Sequence, residues 1–487
     1  MAEQSGTADG PEKPVATQPP SVNGRVPGAA SGAPAAGALG TGAPGAAAAE
    51  VDARALDEVV RFTSELIRID TSNYGGGSCK ERPAAEYAAE LLADAGLTPT
   101  LLERTPGRTN VVARIPGTDP NAPALLVHGH LDVVPARAED WSVHPFSGEV
   151  RDGVVWGRGA VDMKNMDAMV LALVRYWARA GLRPRRDIVI AFTADEEASA
   201  EDGSGFLADR HAVLFEGCTE GISESGAYTV HDGQGRQIYP IAAGERGTAW
   251  LKLTARGRAG HGSRVNDDNA VTRLAAAITR IGEYRWPVRL TPTVRAALTE
   301  LAALYGIEAD LDGPDSEVDA LITRLGRAGA LVAPTVRNST NPTMLDAGYK
   351  VNVIPGEAVA HVDGRCLPGA EEEFRTTLDR LTGPGVEWEF LHREIALQSP
   401  VDSPAFAGMR AAVEEFAPEA HVVPFSMAGG TDAKQFSRLG ITGYGYSPLK
   451  LPADFHYDTL FHGVDERVPV EALHFGVRVL DRFLRTA

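Results

Sequence analysis

Hydrophobic positions between residues 51 and 240 follow two periods in turn. In "VDARALDEVVRFTSELIRI", Leu56, Val59, Val60, Leu66 and Ile67 fall at helical spacing. "AAEYAAELLADAGL" and "NMDAMVLALVRYWARAG" read as helices as well. Between them, "NVVARI", "ALLVHGH" and "DIVIAFTADEE" are short apolar runs that read as buried strands. Helices alternating with such strands predict an α/β fold, a sheet sandwiched between helices, in which ligands gather where strands end.

The pattern changes after residue 245. "TAWLKLTARG" and "EAVAHVDGRCL" alternate apolar and polar, as half-buried antiparallel strands do, and "AVTRLAAAITRIGEY" and "AEEEFRTTLDRL" are amphipathic helices. Residues 246–395 therefore read as a smaller α+β domain inserted into the first. Within it, 288–340 has a helical "EVDALITRLGRAG" but no assignable place. The first domain resumes over 396–487 and ends in the helix "PVEALHFGVRVLDRFL", its first part being 51–245. Residues 1–50 are Ala, Gly, Pro, Ser and Thr with almost no large apolar side chains, so a disordered tail is expected there.

Composition narrows the partners. Of 487 residues, 44% are hydrophobic, and 65 Asp and Glu against 47 Lys and Arg leave a formal net charge of −18. That excess argues against nucleic acid or an anionic membrane as a main partner, and no run of about 18 apolar residues marks a span. Cys79, Cys218 and Cys366 are far apart and form no CxxC pair. Together with a start, "MAEQSGTADGPEKP", that lacks a basic stretch before an apolar one, they point to a reducing, cytoplasmic setting.

The chemistry sits at strand ends. "LLVHGHLDVVP" closes an apolar strand with His128, His130 and Asp132 at every second position. "VVWGRGAVDMKN" places Asp162 after a glycine-rich turn, and "VIAFTADEEAS" ends a strand in Asp195, Glu196 and Glu197. "GISESGAY" offers Glu224, and "LFHGVDERVP" offers His462. Adjacent carboxylates at the end of an apolar strand repel each other unless a cation is near. Imidazole with carboxylate and no cysteine suits zinc, or cobalt or manganese. The ligand number suits two ions ~3.5–4 Å apart sharing a carboxylate, with a position left for water. No G-x-S-x-G elbow is present, and "GVVWGRGAVD" lacks the third glycine of a dinucleotide-binding turn. A scaffold with a degenerate site of the same fold is the alternative, and it predicts loss of a ligand or of the base.

"HGHLDVVP", "GRGAVDMK" and "TADEE", in this order, resemble the co-catalytic zinc exopeptidases and amidohydrolases, the family of aminoacylase, carboxypeptidase G, carnosinase-type dipeptidases and succinyl-diaminopimelate desuccinylase. The resemblance spans about 55 to 487. It implies a zinc-exopeptidase-like α/β/α catalytic domain with an inserted lid or dimerisation domain, two Zn2+ per chain, and a possible homodimer. By it, His130 and Glu224 bind one metal, Glu197 and His462 the second, and Asp162 both. Glu196 is the general base, and Asp132 orients His130 or its partners. His128 rivals His130, His456 rivals His462, and Glu220 is the alternative to Glu224, which Ser225 follows where the family has Gly or Pro.

The same resemblance assigns substrate contacts. "GRAGHGSRVNDDNA" implies that His261 stabilises the oxyanion, often in the partner subunit's site. "YKVNVIPGEAVAHVDGRCLPG" implies Asn352 and Arg365 as substrate contacts, the guanidinium fork matching a terminal carboxylate. "MAGGTDAKQF" implies contacts from Gly430 and Thr431, with Asp432 structural. The implied reaction is hydrolysis of a peptide or N-acyl amino acid amide next to a free carboxylate.

Overall fold

The strands Ala124–His130 and Ile188–Thr193 are buried along their whole length. The structure, a computed structural model, describes residues 50–76 and 79–487; the tail expected over 1–50 lies, apart from Glu50, outside the described residues. Because successive side chains of a strand leave on opposite faces, these two strands feed two cores. Leu125, Val127, Ile188, Ile190 and Phe192 join one, and Leu126, Val189 and Ala191 join the other. Each such buried side chain contributes roughly 1.5–3 kcal/mol, so neither face tolerates water and both are covered.

Helices supply the cover. Ala53–Arg68, Lys164–Ala180 and Val470–Thr486 pack together on one face through Phe62, Leu66, Leu173, Trp177, Leu473 and Phe483. The first of them starts where the Asp52 carboxylate accepts from the Ala55 N–H at 2.7 Å, satisfying one of the free donors of a helix start. The second stops at Gly181, whose φ of +65° suits a residue without a β-carbon. Leu207 of Ser204–Arg210 and Phe436 of Ala433–Phe436 pack with Phe215 and Ile441 on the other face.

Among the described residues, ten strands form this large mixed sheet. Its main path runs Thr100–Glu103, Thr109–Ile115, Ile188–Thr193, Ala124–His130, Cys218–Ser223, Thr442–Gly445, Gln237–Glu245 and Leu397–Gln398. Four successive neighbours, from Ile188–Thr193 to Thr442–Gly445, are parallel. Their carboxyl ends therefore open on the same edge.

A second sheet is wholly antiparallel, in the order Ser339–Ala347, Glu357–Cys366, Gly247–Arg256 and Val386–Arg393. Burial alternates along Glu357–Cys366 residue by residue, since only one face is covered, by Ala270–Glu283 and Glu371–Thr382. The segment 288–340 forms the helices Pro292–Tyr305, Asp315–Leu325 and Arg327–Val332. Val294, Leu298, Leu301 and Leu321 of these helices close on Ile238 and Val423 of the large sheet.

Candidate active site

The parallel strands deliver most of the site. His130 is the last residue of Ala124–His130, Glu224 follows Cys218–Ser223 directly, and Glu196 and Glu197 lie in the turn after Ile188–Thr193. Asp162 enters from the loop before Lys164–Ala180, and His462 from the loop before Arg467–Pro469. The six converge. His130 Nε2 lies 3.1 Å from Asp162 Oδ1, 3.8 Å from Glu224 Oε1 and 4.0 Å from Glu196 Oε2. His462 Nε2 lies 3.1 Å from Glu197 Oε2 and 3.3 Å from Asp162 Oδ2. Two groups of potential ligand atoms, His130 with Asp162 and Glu197 and His130 with Glu196 and Glu224, each fall within 4.8 Å of one another.

Buried partners hold these side chains in place. His130 Nδ1 lies 2.9 Å from the Asp132 carbonyl. A carbonyl only accepts, so Nδ1 carries a proton and Nε2 is the ring atom turned toward the carboxylates. The Asp132 carboxylate, 3.7 Å from that ring, instead accepts from the N–H groups of Glu196 at 3.2 Å and Glu197 at 3.1 Å and from Asn73 Nδ2 at 2.9 Å. It thereby clamps the turn carrying both glutamates. Asp195, at the head of that turn with φ +65°, accepts from Arg108 Nη2 at 3.0 Å. Arg108, 2% exposed, also forks onto Glu81 with contacts of 2.7 and 2.8 Å. Arg108→Ala leaves two buried carboxylates without their cation, and a loss of about 3–5 kcal/mol is expected, read as a lowered urea midpoint with unchanged slope.

The electrostatics call for positive charge. Burial, reinforced by neighbouring carboxylates, pushes Glu196 and Glu224 well above the usual range. Burial works against Asp162 too, yet its hydrogen bonds to His130 and His462 hold its carboxyl below that range. Its bonds to Asp162 and Glu197 push His462 up to about 10. Glu197 Oε1 is buried without a hydrogen-bond partner. An unmet buried carboxylate oxygen is costly, and it sits among imidazole and carboxylate donors that suit a divalent metal ion. The residues present fit a metal centre.

A cavity of about 490 Å3 opens over this cluster. Known proteins share the arrangement of the chain that builds it, and the model of peptidase family M20/M25/M40 matches residues 126–486. The chain belongs to peptidase family M20/M25/M40. It is 30% identical over 393 residues to the N-fatty-acyl-amino acid synthase/hydrolase PM20D1 of Homo sapiens, covering 77% of this chain and 76% of that protein. To aminoacylase-1 of Sus scrofa it is 28% identical over 413 residues, covering 82% and 89%. The M20 family metallo-carboxypeptidase Sso-CP2 from Sulfolobus solfataricus has the same fold, with a TM-score of 0.66 at 20% identity over 88% of this chain and 99% of that one. This M20 chain is thus a metal-dependent hydrolase of peptide or N-acyl amino acid amide bonds.

The M20 cavity is lined by Thr248, Trp250, Arg365, His392 and Glu394 of the second sheet and its end, and by Tyr228, Phe425, Ala428 and Gly430. Arg365 forks onto Asp363 at 2.7 and 3.0 Å. A β-carbon at Gly430 would lie 2.0 Å from Lys434 Nζ, so any larger residue there has to displace that ammonium. Thr431 is turned away from the cavity lining, bonded by N and Oγ1 to Glu245 at 3.0 and 2.7 Å. His261 and Asn352 are exposed and outside this lining. The register explains why. Thr248 pairs with Arg365 at the cavity end of the sheet and Arg256 with Glu357 at the other end, about 26 Å away at ~3.3 Å per residue. His261 follows beyond that far end, where its Nδ1 is 2.8 Å from Ser263 Oγ.

The rival residues are used elsewhere. His128 is buried against Phe436 with ring centroids 4.9 Å apart, and burial lowers its pKa to about 3. Glu220 pairs with Arg186 at 2.6 Å. His456 lines a different cavity. Glu466, which no local pattern singles out, is fully buried. It accepts from the Val161 and Asp162 N–H groups at 2.7 and 3.1 Å and from Arg158 at 2.7 Å, and so fixes the loop that presents Asp162. The three cysteines are free and buried, and among the described residues no helix is long and apolar enough to cross a membrane.

Proposed function

We propose that this chain hydrolyses the amide bond of N-acyl amino acids, and of peptides bearing a free carboxylate next to the scissile bond, using two zinc ions, with cobalt or manganese as substitutes. One observation carries the reading. The two oxygens of Asp162 face two different imidazoles, His130 at 3.1 Å and His462 at 3.3 Å, as a carboxylate shared between two ions must. His130, Asp162 and Glu224 would hold one ion, and Asp162, Glu197 and His462 the other. Bound zinc lowers the pKa of water toward neutrality and polarises a carbonyl.

The chain's own groups do the rest. Glu196 stands farther from His130 than Asp162 does, at 4.0 against 3.1 Å, and lines the cavity. It takes the proton of the attacking water and passes it to the leaving nitrogen. Asp132 keeps Glu196 and Glu197 pointed apart by holding both of their N–H groups. Arg365 receives the substrate carboxylate, which displaces Asp363 from the guanidinium fork. Gly430 contributes backbone at the cavity wall, and Thr431 anchors that loop on Glu245. His261 and Asn352, remote from their own chain's cluster, act at that of a second copy paired through the inserted domain of 246–395. There His261 stabilises the developing oxyanion. The names of the relatives support the acyl amino acid class, and three unbridged thiols fit a reducing, cytoplasmic setting.

The test is hydrolysis of N-acyl amino acids and dipeptides by the zinc-loaded protein, each as free acid and as methyl ester. Esterification is expected to lower kcat/KM about 10- to 100-fold in the parent and far less in Arg365→Ala. Equal losses in both remove Arg365 from the carboxylate site. No hydrolysis of any free acid overturns the reading.

A further inference from the structure

A second cavity, of about 370 Å3, adjoins the first. Tyr228, Phe425 and Ala428 border both. The rest of its wall includes Leu331 and Pro334 of the helical segment that packs on the large sheet and Phe455 and Tyr457 of the loop leading to His462, with Arg327, His231, His456 and Asp458 also at its border. We infer that this second cavity is the subsite for an extended apolar acyl chain on the substrate's nitrogen. The inference deepens the proposed function and rests on it for the direction in which the substrate lies.

Three observations support it. The wall shared with the metal cluster's cavity is aromatic and aliphatic, which is the chemistry that binds hydrocarbon. None of Thr248, Trp250, Arg365, His392 and Glu394, the second-sheet side of the first cavity, borders the second cavity, whereas Tyr228 and Phe425 border both. A substrate whose carboxylate is at Arg365 therefore points its amino acid part toward that sheet and its acyl part across the cluster toward Tyr228 and Phe425. An amino acid side chain branches from the same carbon as the carboxylate and stays on the Arg365 side. The size is also that of a hydrocarbon tail: at about 30 Å3 for each methylene-sized group, the space suits a chain of roughly ten carbons. Tyr228 and Tyr457 pack with ring centroids 4.6 Å apart and planes tilted by 40°. This gives the passage between the two cavities an aromatic edge that a flexible chain can follow.

The experiment compares N-acetyl, N-hexanoyl and N-decanoyl derivatives of one amino acid, and N-acetyl derivatives of amino acids with progressively longer side chains. The proteins are the zinc-loaded parent, Leu331→Trp and Ala453→Trp. Ala453 borders the cavity from an exposed loop, so its variant carries little folding risk. In the parent, kcat/KM is expected to rise about two- to fourfold per added acyl methylene until the cavity is full. Both variants should keep the acetyl rate and lose most of that rise. Calorimetry with decanoate as the probe reads the subsite without turnover, and its affinity should fall at least tenfold in both variants. The inference is overturned by an acyl-length profile that is flat in the parent or unchanged in both variants, or by variants that act on the side-chain series instead. If no derivative is hydrolysed, the proposed function fails, and the decanoate titration alone decides the subsite.

Discussion

Glu196→Gln is expected to retain the full metal content of the parent and to lose about 10²–10⁴ in kcat. The substitution keeps the size of the side chain and leaves the backbone N–H on Asp132 Oδ1, so the turn that also carries Glu197 stays where it is. The amide has no basic oxygen pair with which to take a proton from water or return one to the leaving nitrogen. His130, Asp162, Glu197, Glu224 and His462 are untouched, so the ions remain. The measurement is steady-state hydrolysis beside metal analysis of the same preparation. The loss should fall on kcat, with KM changed little, because Glu196 acts on the proton and holds neither the carboxylate nor the acyl group. A variant within a few-fold of the parent would remove Glu196 from proton transfer.

Asp162→Ala tests the other half of the centre and gives the opposite signature. Its carboxylate lies between His130 and His462, so in the proposed two-zinc centre its removal takes a ligand from both ions at once. Activity should disappear together with metal content. The metal-dependent gain in thermal stability, which grows as RT ln(1 + [L]/Kd) and reaches about 2.7 kcal/mol when the free metal is 100 times Kd, should vanish too. Circular dichroism of the metal-free forms separates this from misfolding. An Asp162→Ala variant that still binds two ions per chain with parent affinity would show that the carboxylate does not join the two halves.

Much of this centre is readable in the chain before any coordinates. A strand-length apolar run that closes on histidine or carboxylate has two legible parts: the burial of the strand and the chemistry of its end. "ALLVHGH" and "DIVIAFTADEE" have both, and parallel pairing then puts their ends together. What local pattern leaves out are the partners. Glu466 is paired with Arg158 across 308 residues of sequence, and Arg108 with Asp195 across 87; from sequence each is an ordinary surface charge. His128 and His130 share a spacing, and only the packing of Phe436 separates the core residue from the one in the cluster. The segment 288–340 carries helical periodicity, but its faces are satisfied by Ile238 and Val423, which no local spacing reveals. The placement of His261 depends on strand register, which a single sequence does not record.

The two sheets meet at a buried ion pair. Lys434, 1% exposed, belongs to the large sheet's helix Ala433–Phe436, and its ammonium lies 2.8 Å from Glu394 Oε2, just past the end of the smaller sheet's Val386–Arg393. The same Glu394 oxygen accepts from Thr248 Oγ1 at 2.9 Å. Removing the Glu394 carboxylate would leave the buried ammonium with Glu245 as its neighbouring negative charge and without its hydrogen-bonded partner, which is costly for a buried cation. Lys434 therefore fastens the end of the smaller sheet to the loop and helix that follow the large sheet's Ala420–Met427, and Lys434→Met would leave Glu394 and Thr248 without that tie.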